Sequence, residues 1–417
     1  MAALEVVDAV ARVMRDVAPL AVAHVGLDDA GGRVLAVELR APLTLPQWTN
    51  SAMDGYAVRA VDVRGASAAR PVRLTVVDTV MAGGFPARSL GASEATRIMT
   101  GAPVPEGADS VVRVEDSDDG RATVAIRDDR DAGKNLRPAG EDMRAGDLVM
   151  PTGTELGAGQ IGVLAACGAR TVAVWRRPRV AILGSGDELV PLDRYDEVLA
   201  GRKIAASNNH AIAAAVRAAG GEPVDLGVTG DSVDALRERI AATAGSDLLI
   251  TTAGASVGES DFTRAAVIAS GGASVFWRVR MRPGAPVAFG TVLDMPWLGL
   301  PGNPVSALVT FELFARPMLR RMGGHEGPYR RAIRATLADP VRTNARLTHF
   351  LRARLLYPDA GPVAHLTGPQ GSGILTSMAH ADALIVVPAD TEQCAAGETV
   401  TVLPIGDGAA HAAGFAL

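Results

Sequence analysis

The sequence predicts a multidomain α/β plus β protein, and three observations carry that prediction. At 417 residues the chain exceeds one compact core, and about 150 residues per domain gives two to four domains. Between Arg179 and Met322, short apolar strands alternate with helical stretches at the spacing of a doubly wound, mostly parallel sheet. After Arg321-Met322-Gly323-Gly324 the helical period vanishes, and Thr348 to Leu356, Ala383 to Val387 and Glu398 to Leu403 read as strands of a small all-β tail.

In chain order, Leu4, Val7, Val10, Met14 and Val17 recur at helical spacing and end near Pro19. Charged residues interrupt this stretch, so it does not read as a secretory signal. Val34 to Leu39 reads as a short strand. Pro71 to Asp128 is β-rich, with strands at Val72 to Val77, Ser110 to Val114 and Arg121 to Arg127 between turns such as Ala82-Gly83-Gly84. Leu156 to Cys167 reads as a helix of small residues stopped by Gly168. In the α/β stretch, strands are expected at Val180 to Leu183, Pro223 to Val228 and Leu248 to Thr252, and helices at Asn208 to Ala219 and Asp234 to Ala244.

Hydrophobic residues make up 48% of the chain, charged residues 21% and aromatics only 4%. The net charge of −5 argues against a general nucleic-acid or membrane-surface role, both of which favour a basic field. Two cysteines, Cys167 and Cys394, provide neither a disulfide framework nor a zinc cluster and fit a reducing compartment. No eighteen uncharged apolar residues are consecutive, so no spanning helix is expected. The reading is a cytoplasmic protein with neither a nucleic-acid nor a membrane partner.

Three places share one design: an apolar strand, a glycine-rich turn, then polar groups. The first is Gly184-Ser185-Gly186-Asp187-Glu188. Glycines there let backbone N–H groups converge on an anion, and the two acids suit a cation beside it; a plain strand-to-loop turn with solvated acids explains it about as well. The second, Thr251 to Asp261, offers Gly254, Ser256, Gly258 and Asp261 for a phosphate or polar ring, and a simple loop is an equal alternative. The third, Leu298 to Ser306, contains Pro301-Gly302-Asn303-Pro304. Asn303 reads as an N-cap and Pro304 as a first helical residue, so the helix start would present free N–H groups. On an expected strand from Trp277, Arg278, Arg280 and Arg282 share one face; such a row is more often a solvated edge than an anion site. Asn50 to Ala57 places Asp54-Gly55 in a turn whose neighbours Met53 and Tyr56 suggest packing into a surface. Thr100 to Asp109 is a stiff loop ending in a carboxylate.

Five strings, in this order, look like the molybdopterin molybdenumtransferase family, which includes bacterial MoeA and the E domain of gephyrin. They are Asn50–Ala57 (NSAMDGYA), Met99–Asp109 (MTGAPVPEGAD), Gly140–Asp142 (GED), Gly186–Leu189 (GDEL) and Leu298–Pro317 (LGLPGNPVSALVTFELFARP). The resemblance covers nearly the whole chain. It implies a homodimer of four-domain subunits. A discontinuous domain I would take 1–40 and 136–174, a β-rich domain II 41–135, a molybdopterin-binding α/β domain III 175–322, and a C-terminal small β-barrel 323–417.

The resemblance also implies the reaction: molybdate is inserted into adenylylated molybdopterin with Mg²⁺-dependent release of AMP, downstream of a molybdopterin adenylyltransferase. Its cleft would join the third domain of one subunit to the second of its partner. Asp54, Asp109, Glu141 and Asp187 are then the catalytic candidates, with Asp54, Glu141 and Asp187 as magnesium ligands. Substrate-binding candidates are Thr100, Arg137, Gly184, Ser185, Gly186, Ser207, Asn208, Gly254, Ser256, Gly258, Asp261, Arg280, Arg282, Pro301, Gly302, Asn303, Pro304 and Ser306. The chain departs from the family pattern at four places: Ala206 replaces an Asp, Arg282-Pro-Gly-Ala285-Pro replaces Lys-Pro-Gly-Lys-Pro, Ala253 replaces a Gly, and Arg137-Pro-Ala shortens an Arg-rich approach. A non-catalytic molybdopterin-binding or scaffold paralogue, and a transferase for another oxyanion such as tungstate, stay open at this point.

Overall fold

The computed structural model describes residues 3–252 and 262–406. The chain divides into two compact units, one of 37–152 with 162–169, the other of the remainder. The N-terminal helix α1 (Val6–Met14) belongs to the larger unit and buries Ala9 and Val13.

The smaller unit is organised by a mixed five-stranded sheet of β1 (Gly55–Val58), β2 (Val72–Val80), β3 (Glu94–Ile98), β4 (Ser110–Arg113) and β5 (Thr123–Ile126), in the order β4-β1-β3-β2-β5. Tyr56, Val58, Leu74, Val112, Val124 and Ile126 form its core. Gly55 is required where it stands: a Cβ there would lie 2.0 Å from the Val112 carbonyl oxygen. Tyr56 is fully buried, and its hydroxyl donates to the Gly120 carbonyl while accepting from Arg97. The Asp54-Gly55 turn is thus packed against a sheet, as its aromatic neighbour suggested.

In the larger unit, β6 (Arg179–Ser185), helix α2 (Ser207–Ala218), β7 (Glu222–Thr229), α3 (Val233–Ala241), β8 (Leu248–Thr252), α4 (Phe262–Ala269), β9 (Ala273–Phe276), β10 (Ala288–Val292) and β11 (Met295–Leu300) follow one another, and α5 runs through 304–322. The sheet order is β7-β6-β8-β11-β10-β9; its first four strands are parallel and the last two antiparallel. Alternation along each strand explains the two layers of helices. Val180, Ile182, Leu248, Ile250 and Leu298 pack with Ile212 and Val216 of α2 and with α5 on one face. Ala181, Leu183, Leu249 and Trp297 pack with Leu236, Ile240 and Val267 of α3 and α4 on the other. Pro317 lies inside α5, where it supplies no N–H to the helix ladder; the preceding turn, Phe311–Ala315, widens to a π-helix.

The tail is a closed ring of five strands, β12 (Ile333–Leu337), β13 (Thr348–Leu356), β14 (Val363–Leu366), β15 (Ala383–Val387) and β16 (Thr399–Pro404), joined β13-β14-β12-β16-β15 and back to β13. Ala353, Leu355, Ile385 and Val402 fill it. The multidomain α/β plus β reading holds.

Two expectations change. Val34 to Leu39 is not one strand: Val34 and Leu35 make isolated bridges, and Leu39–Arg40 pairs elsewhere. Trp277 to Arg282 is not one strand either. Only Met281–Arg282 pairs, with β13, because Leu4 docks on the rest: Leu4 N–H donates to Arg278 O and Arg280 N–H to Leu4 O.

Candidate functional site

A cleft of about 600 Å³ opens where the parallel strands of the larger unit end, the position expected for ligands of such sheets. Glu188 and Leu189 follow β6 on one side; Ala206, Ser207 and Asn208 start α2; Pro301 to Pro304 start α5; Pro286 and Gly373 complete the wall. Asn208 Nδ2 donates to the Gly302 carbonyl (2.8 Å), which ties the two helix starts together.

Asn303 does not cap its own helix. Its Nδ2 donates to Ser372 Oγ (3.1 Å), and the Val305 N–H donates to the Ser372 carbonyl (3.2 Å). The first turn of α5 is therefore partly capped from the tail rather than left with every N–H free. The loop that carries Ser372 is held by Arg352, which is wholly buried. Its guanidinium donates to Ser377 Oγ and to the carbonyls of Pro369, Gln370 and Gly371. Burial pushes the Arg352 pKa down.

At the end of β6, Gly186 has φ +152°, and a Cβ there would meet the Glu188 carboxylate at 2.6 Å. Asp187 Oδ1 accepts the Asp231 N–H (3.1 Å), and the Asp187 carbonyl accepts Lys203 Nζ (2.5 Å). Burial pushes the Asp231 carboxyl up, and the neighbouring Asp187 and Glu188 charges add to it. Among the described residues no three His, Cys, Asp or Glu side chains are grouped to hold a metal by themselves.

Arg282 lines a second cleft of about 510 Å³ with Arg342, His349, Arg352 and Gln370. Burial and the Arg282 charge lower the His349 pKa. Arg280, expected on the same face as Arg282, pairs with Glu5 (2.8 Å) and donates to the Arg346 carbonyl. Ser185 is buried within 3.4 Å of the Thr263 hydroxyl, and Ser306 is buried in α5. Gly254, Ser256, Gly258 and Asp261, as well as Ala253, lie outside the described residues.

In the smaller unit, the exposed carboxylate of Asp54 accepts from the N–H and the hydroxyl of Thr100. Those bonds hold the Asp54 carboxyl below its ordinary range, and Arg97 adds to the effect. Asp109 is engaged locally, accepting from the Ala60 N–H (2.6 Å) and the Ser110 hydroxyl (2.9 Å). Arg137 sits on a two-residue strand paired with Asn50, and Glu141 on the exposed turn after Pro138.

The sequence reading named Glu188 beside Asp187 as a cation holder and missed Lys203, Asp231, Arg352, Ser372 and Gly373. The glycine-flanked loop at 371–373 was a usable signal. Lys203, Asp231 and Arg352 carry none, because only the fold brings them to the site.

Three family models match the chain: the MoeA N-terminal region (domain I and II) over 4–168, a probable molybdopterin binding domain over 181–321, and the MoeA C-terminal region (domain IV) over 334–405. The chain belongs to the MoeA family. Within that family it is 40% identical to "Molybdopterin molybdenumtransferase 2" of Mycobacterium tuberculosis over 94% of this chain and 96% of that one. It is 38% identical to the molybdopterin molybdenumtransferase of a Nostoc species over 90% and 87%. A solved MoeA family structure, the molybdopterin biosynthesis protein of Pyrococcus horikoshii, superposes with TM-score 0.82 at 26% identity, covering 97% of this chain and all of that one.

Proposed function

We propose that this MoeA family member is a molybdopterin molybdenumtransferase: it inserts molybdate into adenylylated molybdopterin and releases AMP, a step of molybdenum cofactor biosynthesis. The observation that carries the reading is the cleft of the larger unit, with acids at the end of β6 on one side and two tied helix starts on the other. Full-length relatives bearing that name support it.

The chain's own groups suit the substrate. The Ser207 and Pro301–Asn303 turns offer backbone dipoles for phosphate oxygens. Arg282, in the second cleft, offers a guanidinium for an oxyanion such as molybdate. Thr100 keeps Asp54 ionised. Water cleaves a P–O bond of the pyrophosphate, leaving AMP and the molybdopterin phosphate as monoesters; the two dithiolene sulfurs bind molybdenum as one molybdate oxygen leaves as water with the two thiol protons.

Asp187, with Glu188 next to it at the end of β6, suits Mg²⁺, which is held by few carboxylates and keeps water and phosphate oxygens in its shell. Bound there, magnesium would neutralise charge on the phosphates. Asp54 and Glu141 are assigned as further ligands through a homodimer whose site joins one subunit to its partner. The same reading divides the chain into four domains, 1–40 with 136–174, 41–135, 175–322 and 323–417. It places the protein in the cytoplasm, downstream of a molybdopterin adenylyltransferase.

The test is direct. Purified protein with adenylylated molybdopterin, Mg²⁺ and molybdate should release AMP; tight pterin binding without AMP would replace the transferase with a scaffold. Mixing Asp54→Asn with Asp187→Asn protein should restore activity through mixed dimers, and no restoration would overturn the shared site.

A further inference from the structure

Only sixteen of 417 residues are Phe, Trp or Tyr, yet two of them are spent together on the surface of the smaller unit. Trp48 and Phe85 meet edge to face with ring centroids 4.9 Å apart, while Trp48 stays 37% and Phe85 65% exposed. Met81, 58% exposed, begins the loop that carries Phe85.

Neither ring hangs on a loose segment. The Phe85 loop leaves the end of β2, closes with Gly84 N–H donating to Met81 O, and is pinned by Asp78, whose carboxylate accepts the Ala87 and Thr79 N–H groups. The Trp48 segment is laced to 101–104: Val104 N–H donates to Thr49 O, Ser51 N–H to Ala102 O and Gly101 N–H to Ser51 O. Both segments are bonded to the neighbours of one residue. Val80, just before the Phe85 loop, accepts the Met99 N–H, and Ser51 accepts the Gly101 N–H, so each segment is tied next to Thr100, the partner of Asp54.

An edge-to-face pair leaves ring faces open, and flat heteroaromatic rings stack on such faces with little regard to their polar pattern. We propose that Trp48 and Phe85 form a stacking platform for a flat heteroaromatic ring of the substrate, the pterin or the adenine of adenylylated molybdopterin. It would fix that ring on the smaller unit, which also carries the Asp54–Thr100 pair. This inference rests on the transferase reading. Two rings joined by phosphates match an aromatic pair set beside a polar group; the two residues would be positioning and specificity residues, not reacting ones.

The experiment compares wild type with Trp48→Ala, Phe85→Ala and Trp48→Phe in the AMP-release assay, varying adenylylated molybdopterin and molybdate separately. Either alanine variant should raise KM for adenylylated molybdopterin about tenfold, equivalent to about 1.4 kcal/mol. It should leave kcat and the molybdate KM within about twofold, and Trp48→Phe should behave as wild type. Both side chains are exposed, and unchanged thermal unfolding will show that the variants fold. An unchanged KM overturns the platform while the transferase reading stands. So does an equal rise in both KM values, or a changed sedimentation coefficient with unchanged KM, the latter making the pair a contact between copies. Absence of AMP release by wild type overturns the reading and the platform together.

Discussion

Asp54 and Thr100 are joined twice: Oδ1 of the carboxylate accepts both the backbone N–H and the hydroxyl of Thr100, each at 2.7 Å. Two donors on one oxygen favour the ionised form, so the carboxyl is held below its ordinary range. Removing one donor must move it back up. In Thr100→Val the backbone bond survives and the hydroxyl bond is lost. The acid limb of the pH–rate profile should shift to higher pH, because Asp54 then protonates earlier on acidification, and kcat/KM at neutral pH should fall about tenfold. Thr100→Ser should keep both. A Val variant with the wild-type profile would remove Asp54 from the rate-determining groups.

Asp131 is buried, and burial alone would raise its carboxyl; the Arg113 guanidinium and N–H outweigh it and bring it down to about 2. A carboxyl depressed in the folded state stabilises the fold fully above its ordinary pKa. That contribution is lost as pH falls from about 4 through 2. Arg113→Met leaves a buried acid without its partner and should cost about 2 kcal/mol at pH 7 in urea unfolding. The difference from wild type should shrink as the pH is lowered to 3. A difference that grows on acidification would contradict the assignment.

Gly324 presses on Trp175. Its φ is +87°, and a Cβ would come within 1.8 Å of the indole Cδ1. Gly324→Ala should therefore lose about 2–3 kcal/mol by thermal denaturation. Gly323→Ala, where the nearest contact is 3.4 Å, should lose much less. Equal losses would mean the indole moves aside without cost.

Ala206 stands at the N-cap of α2, with no side chain to satisfy the helix's free N–H groups, and it lines the cleft. An acid at this position, Ala206→Asp, should raise stability by about 1 kcal/mol through capping. It should also raise kcat/KM for AMP release, and Ala285→Lys should raise it further. Stability without a gain in rate would show that the cleft has been rebuilt around alanine.

The legible part of this protein was what is local. β13 and β15 were read with their observed bounds, because five to nine apolar-rich residues between turn signals need nothing from elsewhere. The glycine-rich ends of β6 and β11 were also visible, since glycine and proline mark backbone constraints directly. What escaped was set by partners far along the chain. Asn303 looked like the cap of α5, yet the capping carbonyl belongs to Ser372, and Arg280 looked like a ligand-facing arginine, yet Glu5 and Arg346 hold it. Arg352 could not be singled out, since a buried cation solvated by carbonyls leaves no pattern in neighbouring residues.

The ring closed by β13 and β15 has a consequence for how copies of this chain can associate. Closure pairs each of the five strands on both sides and leaves only the start of β13 to take Met281–Arg282, so little edge remains for a foreign strand. The six-stranded sheet, by contrast, ends in β7 on one side and β9 on the other. If overexpressed protein precipitates through backbone pairing, Glu222–Thr229 and Ala273–Phe276 are the segments where a charge or a proline would suppress it.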